Sequence, residues 1–233
     1  MSSSFHETRW SQVERSQGTG EEARMALSDL CAAYHRPVYS FIRNWCRDED
    51  QVQDLTQEFF ARLLARPALD AEPGSGRFRS YLLGAVKHFL SEMQRAGQTR
   101  KRGGGLDILA LDALPAADLA DPRMLPPDRH FDQQWSCALL DRALASLGSD
   151  MAATGKTPLF EALKPWLADT AGHGDQRQAA ENLGISETAV RVQVHRMRKR
   201  YRELIEAEVT QTLTEGASLA EEMRHLFAAL AGR

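Results

Sequence analysis

Residues 176–195 read QRQAAENLGISETAVRVQVH, and this stretch decides the fold of the C-terminal half of the chain. Its small and apolar side chains, including Ala180 and Leu183, predict a short helix. Gly184 then supplies a turn residue that adopts a positive φ at little steric cost, and Ser186 is a favourable N-cap for a following helix. The stretch therefore predicts two helices that are joined by a tight turn.

The second of these helices has an apolar face and a polar face. The side chains that we expect to be buried are Val190, Val194, Met197, Tyr201 and Leu204. The opposite face is predicted to contact DNA as the second helix of a helix-turn-helix, whose first residues reach base edges while later basic residues meet phosphates. The residues assigned to this contact are Ser186, Glu187, Thr188, Arg191, Val192, His195, Arg196, Lys199 and Arg200. The alternative is an ordinary helical hairpin with a glycine turn.

The charge distribution favours two separate contacts with an anionic partner. The chain has 233 residues with 29 basic and 32 acidic side chains, and this net charge of −3 by itself argues against nucleic-acid binding. However, residues 77–102 hold seven basic side chains against Glu92 alone, and residues 186–202 hold six against Glu187 alone. Two compact basic blocks in an acidic chain predict phosphate contacts, although solvated helix faces would give the same pattern.

The first basic block mixes cations with aromatic side chains, a combination that is typical of single-stranded nucleic acid binding. The residues assigned to a displaced strand are Arg77, Phe78, Arg79, Tyr81, Lys87, His88, Arg95, Arg100, Lys101 and Arg102. The alternative for Phe78 and Tyr81 is a place in the hydrophobic core. The acidic side chains around residues 48–58 predict a surface that docks on a basic protein, or simply acids favoured at a helix N-terminus.

Apolar residues recur at helical spacing almost throughout, and no run alternates like a strand. We therefore predict an all-α protein with two helical domains, a flexible linker between them and a C-terminal amphipathic helix. The predicted boundaries are 1–102 for the N-terminal domain, 103–130 for the linker, 131–213 for the helix-turn-helix domain and 214–233 for the C-terminal extension. The linker is assigned from its glycine and proline content.

Three motifs stand in order along the chain: DLTQEFFARLL at 54–64, FRSYL at 78–82 and LGISETAV at 183–190. Together they resemble C-terminally extended members of the extracytoplasmic-function (ECF) branch of bacterial RNA polymerase sigma factors. The first motif is similar to the family helix that binds the clamp of the polymerase. The second resembles the helix that melts and reads the minus-ten element, and the third resembles the helix-turn-helix that reads the minus-thirty-five element.

The resemblance implies a non-enzymatic function with no cofactor and no metal, in the cytoplasm. It implies core RNA polymerase and promoter DNA as partners, and no membrane. The residues that it assigns to polymerase binding are Asp54, Gln57, Glu58 and Phe59. The chain departs from the family pattern at His88 and Glu92, where Asn and Asp are usual, and at Gln193 and Met197, where Arg and Ala are common. These departures bear on the promoter sequence that is read.

The C-terminal extension has an apolar stripe on a predicted helix, at Leu219, Met223, Leu226, Phe227 and Leu230. Such a helix needs a partner surface. We expect it to pack on the C-terminal domain. The alternatives are that it masks the promoter-reading face or recruits a regulator such as an anti-sigma factor.

Composition excludes several other classes of protein. Three widely spaced cysteines form no CxxC, which argues against a disulfide scaffold or a thiolate zinc site. No apolar run approaches the ~20 residues of a membrane span, and the first residues do not resemble a signal peptide. Two rival functions stay open: a stand-alone helix-turn-helix regulator, and an all-helical enzyme. For the enzyme, the sequence contains no HExxH, paired acidic metal motif, phosphate loop or nucleophile elbow.

Overall fold

The structure is a computed structural model that describes residues 21–46, 48–65, 78–99, 126–168, 175–213 and 217–232. These residues form α-helices, one short 3-10 helix at Lys164–Ala168 and no strand, so the predicted all-α class is confirmed. The α-helices are α1 (Glu21–Arg43), α2 (Glu49–Ala65), α3 (Phe78–Thr99), α4 (Pro127–Ala153), α5 (Thr157–Leu163), α6 (Asp175–Leu183), α7 (Glu187–Thr210) and α8 (Leu219–Leu230).

The chain divides into two compact units. Unit 1 comprises residues 1–138 and 209–233, and unit 2 comprises residues 139–208. This division differs from the sequence-based boundaries, because the start of α4 and the last residues of the chain group with the N-terminal helices.

Aromatic side chains from the start of α4 complete the core of unit 1. The buried faces of α1, α2 and α3 meet there, and Phe131 and Trp135 of α4 join the same cluster. The Tyr34 ring stacks on Trp135 with 4.6 Å between centroids, and Phe41 meets Phe131 edge to face at 6.0 Å. Such pairs stabilise a core beyond the area that they bury. The first turns of α4 are therefore part of the N-terminal fold.

The predicted C-terminal boundary of the linker, residue 130, is wrong. Residues 127–130 are helical, because α4 begins at Pro127 and the N–H of His130 donates to the carbonyl of Pro126 at 2.9 Å. Proline is favoured at the first position of a helix, where its missing N–H costs no hydrogen bond. The rest of the predicted linker, residues 103–125, lies outside the described residues.

In unit 2, α6 and α7 are joined by the turn that the sequence predicts. Gly184 has a φ of 63°, the N–H of Ile185 donates to the carbonyl of Ala180 at 3.1 Å, and the N–H of Gly184 donates to the carbonyl of Glu181 at 3.2 Å. This pair of bonds is a Schellman motif. Ser186 Oγ accepts the N–H of Ala189 at 3.2 Å, which confirms Ser186 as the N-cap of α7.

The inner face of α7 is buried as predicted. Val190, Val194 and Met197 lie in the core of unit 2 with Leu147, Phe160, Leu163 and Trp166, and Tyr201 and Leu204 pack against it. Burial raises the pKa of Tyr201 to about 12, so the phenol stays protonated and its hydroxyl donates to the carbonyl of Leu140 at 3.1 Å. The outer face of α7 is thereby left to solvent.

The C-terminal helix α8, which was expected to pack on the C-terminal domain, contacts residues of both predicted domains. It belongs to unit 1, where Glu222 contacts Arg79 of α3 and His225 contacts Asp132 of α4. Of the predicted apolar stripe, Leu226 is buried, whereas Phe227 is 54% exposed. Asp132 lies within the predicted C-terminal domain (131–213) and Arg79 lies within the predicted N-terminal domain (1–102), so the expectation covers only part of the observed contacts.

Two glycines are expected to respond to alanine with opposite signs. Gly84 lies exposed inside α3, so Gly84→Ala should raise the free energy of unfolding by about 1 kcal/mol. Gly184 has a positive φ, so Gly184→Ala should lower it by about 1–2 kcal/mol. Urea unfolding followed by circular dichroism measures both changes. Gly184→Asn is the control, since Asn tolerates this conformation; equal losses for Ala and Asn would contradict the argument.

Candidate nucleic-acid interfaces and acidic face

The outer face of α7 presents the side chains that the sequence assigns to DNA. Thr188, Arg191, Val192, His195, Arg196 and Lys199 are all exposed, as are Ser186 and Glu187 at the helix start. Val192 is 44% exposed, an unusual position for a large apolar side chain on a solvated helix face. An apolar contact with a thymine methyl group is one way in which proteins read the major groove. Polar, cationic and apolar groups thus share one accessible face.

Arg191 is only weakly held by its own helix. Its Nη2 lies 4.0 Å from Glu187 Oε2, and the two side chains are 64% and 50% exposed. An exposed pair of this kind contributes about 0–1 kcal/mol, so it does not prevent the guanidinium from contacting another group. Arg191 is therefore available to a base edge.

The later basic residues of α7 differ in how they are held. Arg200 Nη2 lies 2.7 Å from Asp150 Oδ2, and the hydrogen bond with Asp150 raises the pKa of Arg200. Arg198 Nε donates to the carbonyl of Trp166 at 2.9 Å. Arg196 and Lys199 are exposed. Arg196 and Lys199 are thus better placed than Arg200 for phosphate contacts.

At the start of α3, the structure contradicts two assignments to the displaced strand. Phe78 is fully buried, and its ring packs against both Tyr34 and Trp135 at centroid distances of 5.1 and 6.2 Å. Arg79 is 6% exposed and forms ion pairs with Asp132 and Glu222. Neither side chain is presented to a base or phosphate, because residues far along the chain cover them.

The rest of α3 carries an open polar stripe. Tyr81 is half-buried and packs against the core, with its ring centroid 6.1 Å from that of Phe78. Two turns later, His88, Glu92 and Arg95 follow at four- and three-residue spacing on the same face; His88 and Arg95 are exposed and Glu92 is half-buried. His88 Nδ1 lies 3.5 Å from Glu92 Oε1. Tyr81, His88 and Arg95 are therefore the described members of the first basic block that share an accessible face.

Lys87 lies on another side of α3 and is engaged within the protein. Its Nζ lies 2.6 Å from Asp128 Oδ2 near the start of α4, and its side chain is 36% exposed. Four further residues of this block lie outside the described residues: Arg77, Arg100, Lys101 and Arg102.

The acidic face of α2 is exposed, but its predicted aromatic member is not. Asp54, Gln57 and Glu58 are exposed at three- and four-residue spacing. Phe59 is only 3% exposed and meets Phe60 and Phe89 in the core, so its assignment to polymerase binding is wrong for the side chain itself. Of the four residues assigned to polymerase binding, one side chain is therefore in the core and three are on the surface.

Arg62 links this acidic face to α3. Its Nη2 lies 2.6 Å from Glu58 Oε1, its Nη1 lies 3.5 Å from Glu92 Oε2, and its guanidinium lies 5.3 Å from the centroid of the Phe89 ring. A shallow pocket lies between α2 and α3 and is lined by Phe59, Arg62, Leu63, Ala85, His88, Phe89 and Glu92. The carboxylates of α2 and the stripe of α3 are thus neighbours within unit 1.

The residues that pair with Arg79 were not identified from the sequence. Asp132 and Glu222 lie 53 and 143 positions from Arg79, and His225 contacts Asp132, so no local pattern joins them. One signal was available, because Glu222 falls at helical spacing between Leu219 and Leu226. A carboxylate in the middle of an apolar stripe indicates a buried partner of opposite charge.

Within the described ranges, no helix is both long and apolar enough to cross a membrane. The same residues contain no group of three or more His, Cys, Asp or Glu side chains that is arranged to hold a metal ion.

Comparison with known proteins finds a likeness for one part of the chain. No curated protein and no solved structure matches it. Residues 30–99, which run from within α1 to the end of α3, match the family model described as Sigma-70 region 2. The match covers less than half of the chain, so it shows a likeness of residues 30–99 to that region.

Proposed function

We propose that this chain is an ECF-type sigma factor with a C-terminal extension, which directs core RNA polymerase to specific promoters in the cytoplasm and assists strand opening. The observation that carries the proposal is the combination within residues 30–99 of the Sigma-70 region 2 match, the exposed carboxylates of α2 and the open stripe of α3. The exposed basic face of α7 in unit 2 supplies a second candidate DNA contact.

In this proposal, α2 docks on the polymerase through Asp54, Gln57 and Glu58. These side chains are exposed, and complementary charge both steers association and selects partners. Phe59 contributes by packing α2 onto the core, which holds the acidic face in place.

The displaced strand is assigned to Tyr81, His88 and Arg95, with the basic residues outside the described ranges, Arg77 and Arg100 to Arg102, adding phosphate contacts. Cations that track the backbone and an aromatic ring that stacks on a base are the usual means of binding a single strand. Strand opening then draws its free energy from the capture of unstacked bases, while bond formation belongs to the polymerase.

The upstream element is assigned to α7. Thr188, Arg191, Val192 and His195 are placed to read base edges, and Arg196 and Lys199 to hold phosphates. The glycine turn and the Ser186 cap fix where the reading helix begins.

A run-off transcription assay with purified bacterial core polymerase tests the function as a whole. Specific initiation that depends on the added chain is the expected result. Tight binding to a duplex without polymerase, together with no initiation in its presence, would instead support a stand-alone helix-turn-helix regulator.

Arg191→Ala is expected to change which upstream sequences the holoenzyme selects from a random promoter library. Loss of one bidentate base contact costs about tenfold or more in discrimination at one base pair. Arg177→Ala is the matched control, because Arg177 is an exposed arginine on α6 whose Nε pairs with Glu181 at 3.1 Å. If the wild type and Arg191→Ala select identical sequences, Arg191 makes no sequence-specific contact with a base.

Glu58→Lys is expected to weaken binding to core polymerase about tenfold or more, with a stronger effect at low salt, because it reverses a charge on the proposed docking face. Glu58→Gln should have a smaller effect. Fluorescence titration of labelled protein with core polymerase measures both. Glu161→Lys reverses an exposed charge on α5 and is the control; equal losses for the Glu58 and Glu161 variants would contradict a docking role for α2.

A further inference from the structure

We propose that the described residues of the C-terminal segment, 209–213 and 217–232, position the first turn of α3, and that Glu222 acts through Arg79 as a positioning residue for strand opening. The consequence for transcription rests on the proposed function, whereas the contacts that carry the positioning lie entirely within unit 1.

Arg79 of α3 and Glu222 of α8 form a buried ion pair. Arg79 Nε lies 3.3 Å from Glu222 Oε1, and the two side chains are 7% and 6% exposed. The guanidinium also pairs with Asp132 of α4. A buried charge is tolerated only with partners that offset its lost hydration, so removal of one partner is costly. Helix α8 therefore supplies part of what allows Arg79 to lie inside the protein.

The first turn of α3 also makes a backbone hydrogen bond with the C-terminal segment. The first N–H groups of a helix have no partner within the helix. Phe78 is the first residue of α3, and its N–H donates to the carbonyl of Thr212 at 3.2 Å. Thr212 is 2% exposed and lies beside the buried side chains of Val209 and Leu213. The C-terminal segment thus takes the place of a local cap for α3.

A contact between His225 and Asp132 joins α8 to α4. His225 Nε2 lies 3.1 Å from Asp132 Oδ2, so Asp132 is shared between His225 and Arg79. Leu226, on the same side of α8, is 3% exposed. The start of α3 is consequently held by both α4 and α8. Arg79 pairs with Asp132 and Glu222, and the buried side chain of Leu226 fixes α8 against unit 1.

These contacts describe a structural support and not a removable cover. Release of α8 would expose Leu226, separate Glu222 from Arg79 and leave Asp132 as the remaining carboxylate on a buried guanidinium. The open stripe of α3 begins at Tyr81, one turn beyond Phe78. If the first turn of α3 becomes less ordered, the positions of Tyr81, His88 and Arg95 relative to the rest of unit 1 therefore change.

Hydrogen exchange tests the positioning without polymerase. Glu222→Gln keeps the shape and removes the charge, and Glu221→Gln changes the exposed neighbour as a matched control. We expect exchange at the amide of Phe78 and at the first amides bonded within α3, residues 82–84, to become about tenfold faster in Glu222→Gln and to be unchanged in Glu221→Gln. A second variant that ends at residue 213 should show a larger increase. Unchanged exchange, or an increase that is spread equally over α1, α2 and α3, would overturn the positioning.

Promoter opening by the full-length variants in holoenzyme tests the consequence. Opening is followed by permanganate reactivity of unpaired thymines. We expect the opening rate of Glu222→Gln to fall about fivefold or more, with core affinity and closed-complex affinity unchanged. Unchanged or faster opening would overturn the inference, and faster opening would identify α8 as an inhibitory cover. If the wild-type chain opens no promoter with polymerase, the proposed function fails, while the exchange result still decides the positioning.

Discussion

The structure of unit 1 depends on a shared aromatic core to which distant parts of the chain contribute. The apolar faces of α1, α2 and α3 meet in one cluster, and Phe131 and Trp135 of α4 belong to the same cluster. The stacking of Tyr34 on Trp135 and the burial of Phe78 follow from this arrangement. Because the inner faces are committed to packing, the polar outer faces of α2 and α3 are set at fixed positions on the surface.

The same division between inner and outer faces explains how one sequence motif can serve two purposes. Within residues 54–59, Leu55 and Phe59 are buried while Asp54 and Glu58 are exposed, so a single helix both builds the core and presents charge. In α7, Val190 and Val194 pack inward while Arg191 and Val192 face solvent. A surface that reads a partner needs such a rigid backing, since the side chains must be held near the geometry in which they bind.

The features that were predictable from the sequence are those with local causes. The Schellman turn at Gly184, the cap at Ser186 and the buried face of α7 each arise from residues within one or two helical turns. The wrong assignments have distant causes. Phe78 and Arg79 look like nucleic-acid contacts until Trp135, Asp132 and Glu222 are brought against them. The start of α4 was missed because proline signals both a linker and a first helical position.

The ion pair between Arg79 and Glu222 joins residues that are 143 positions apart, which has a consequence for biosynthesis. A ribosome makes the chain from its N-terminus, so the guanidinium emerges long before its second carboxylate has been translated. A nascent or prematurely terminated chain thus carries an arginine that lacks one of its charge partners. The ion pairs at the start of α3 are therefore complete only after Glu222 has been synthesised, long after α3 itself.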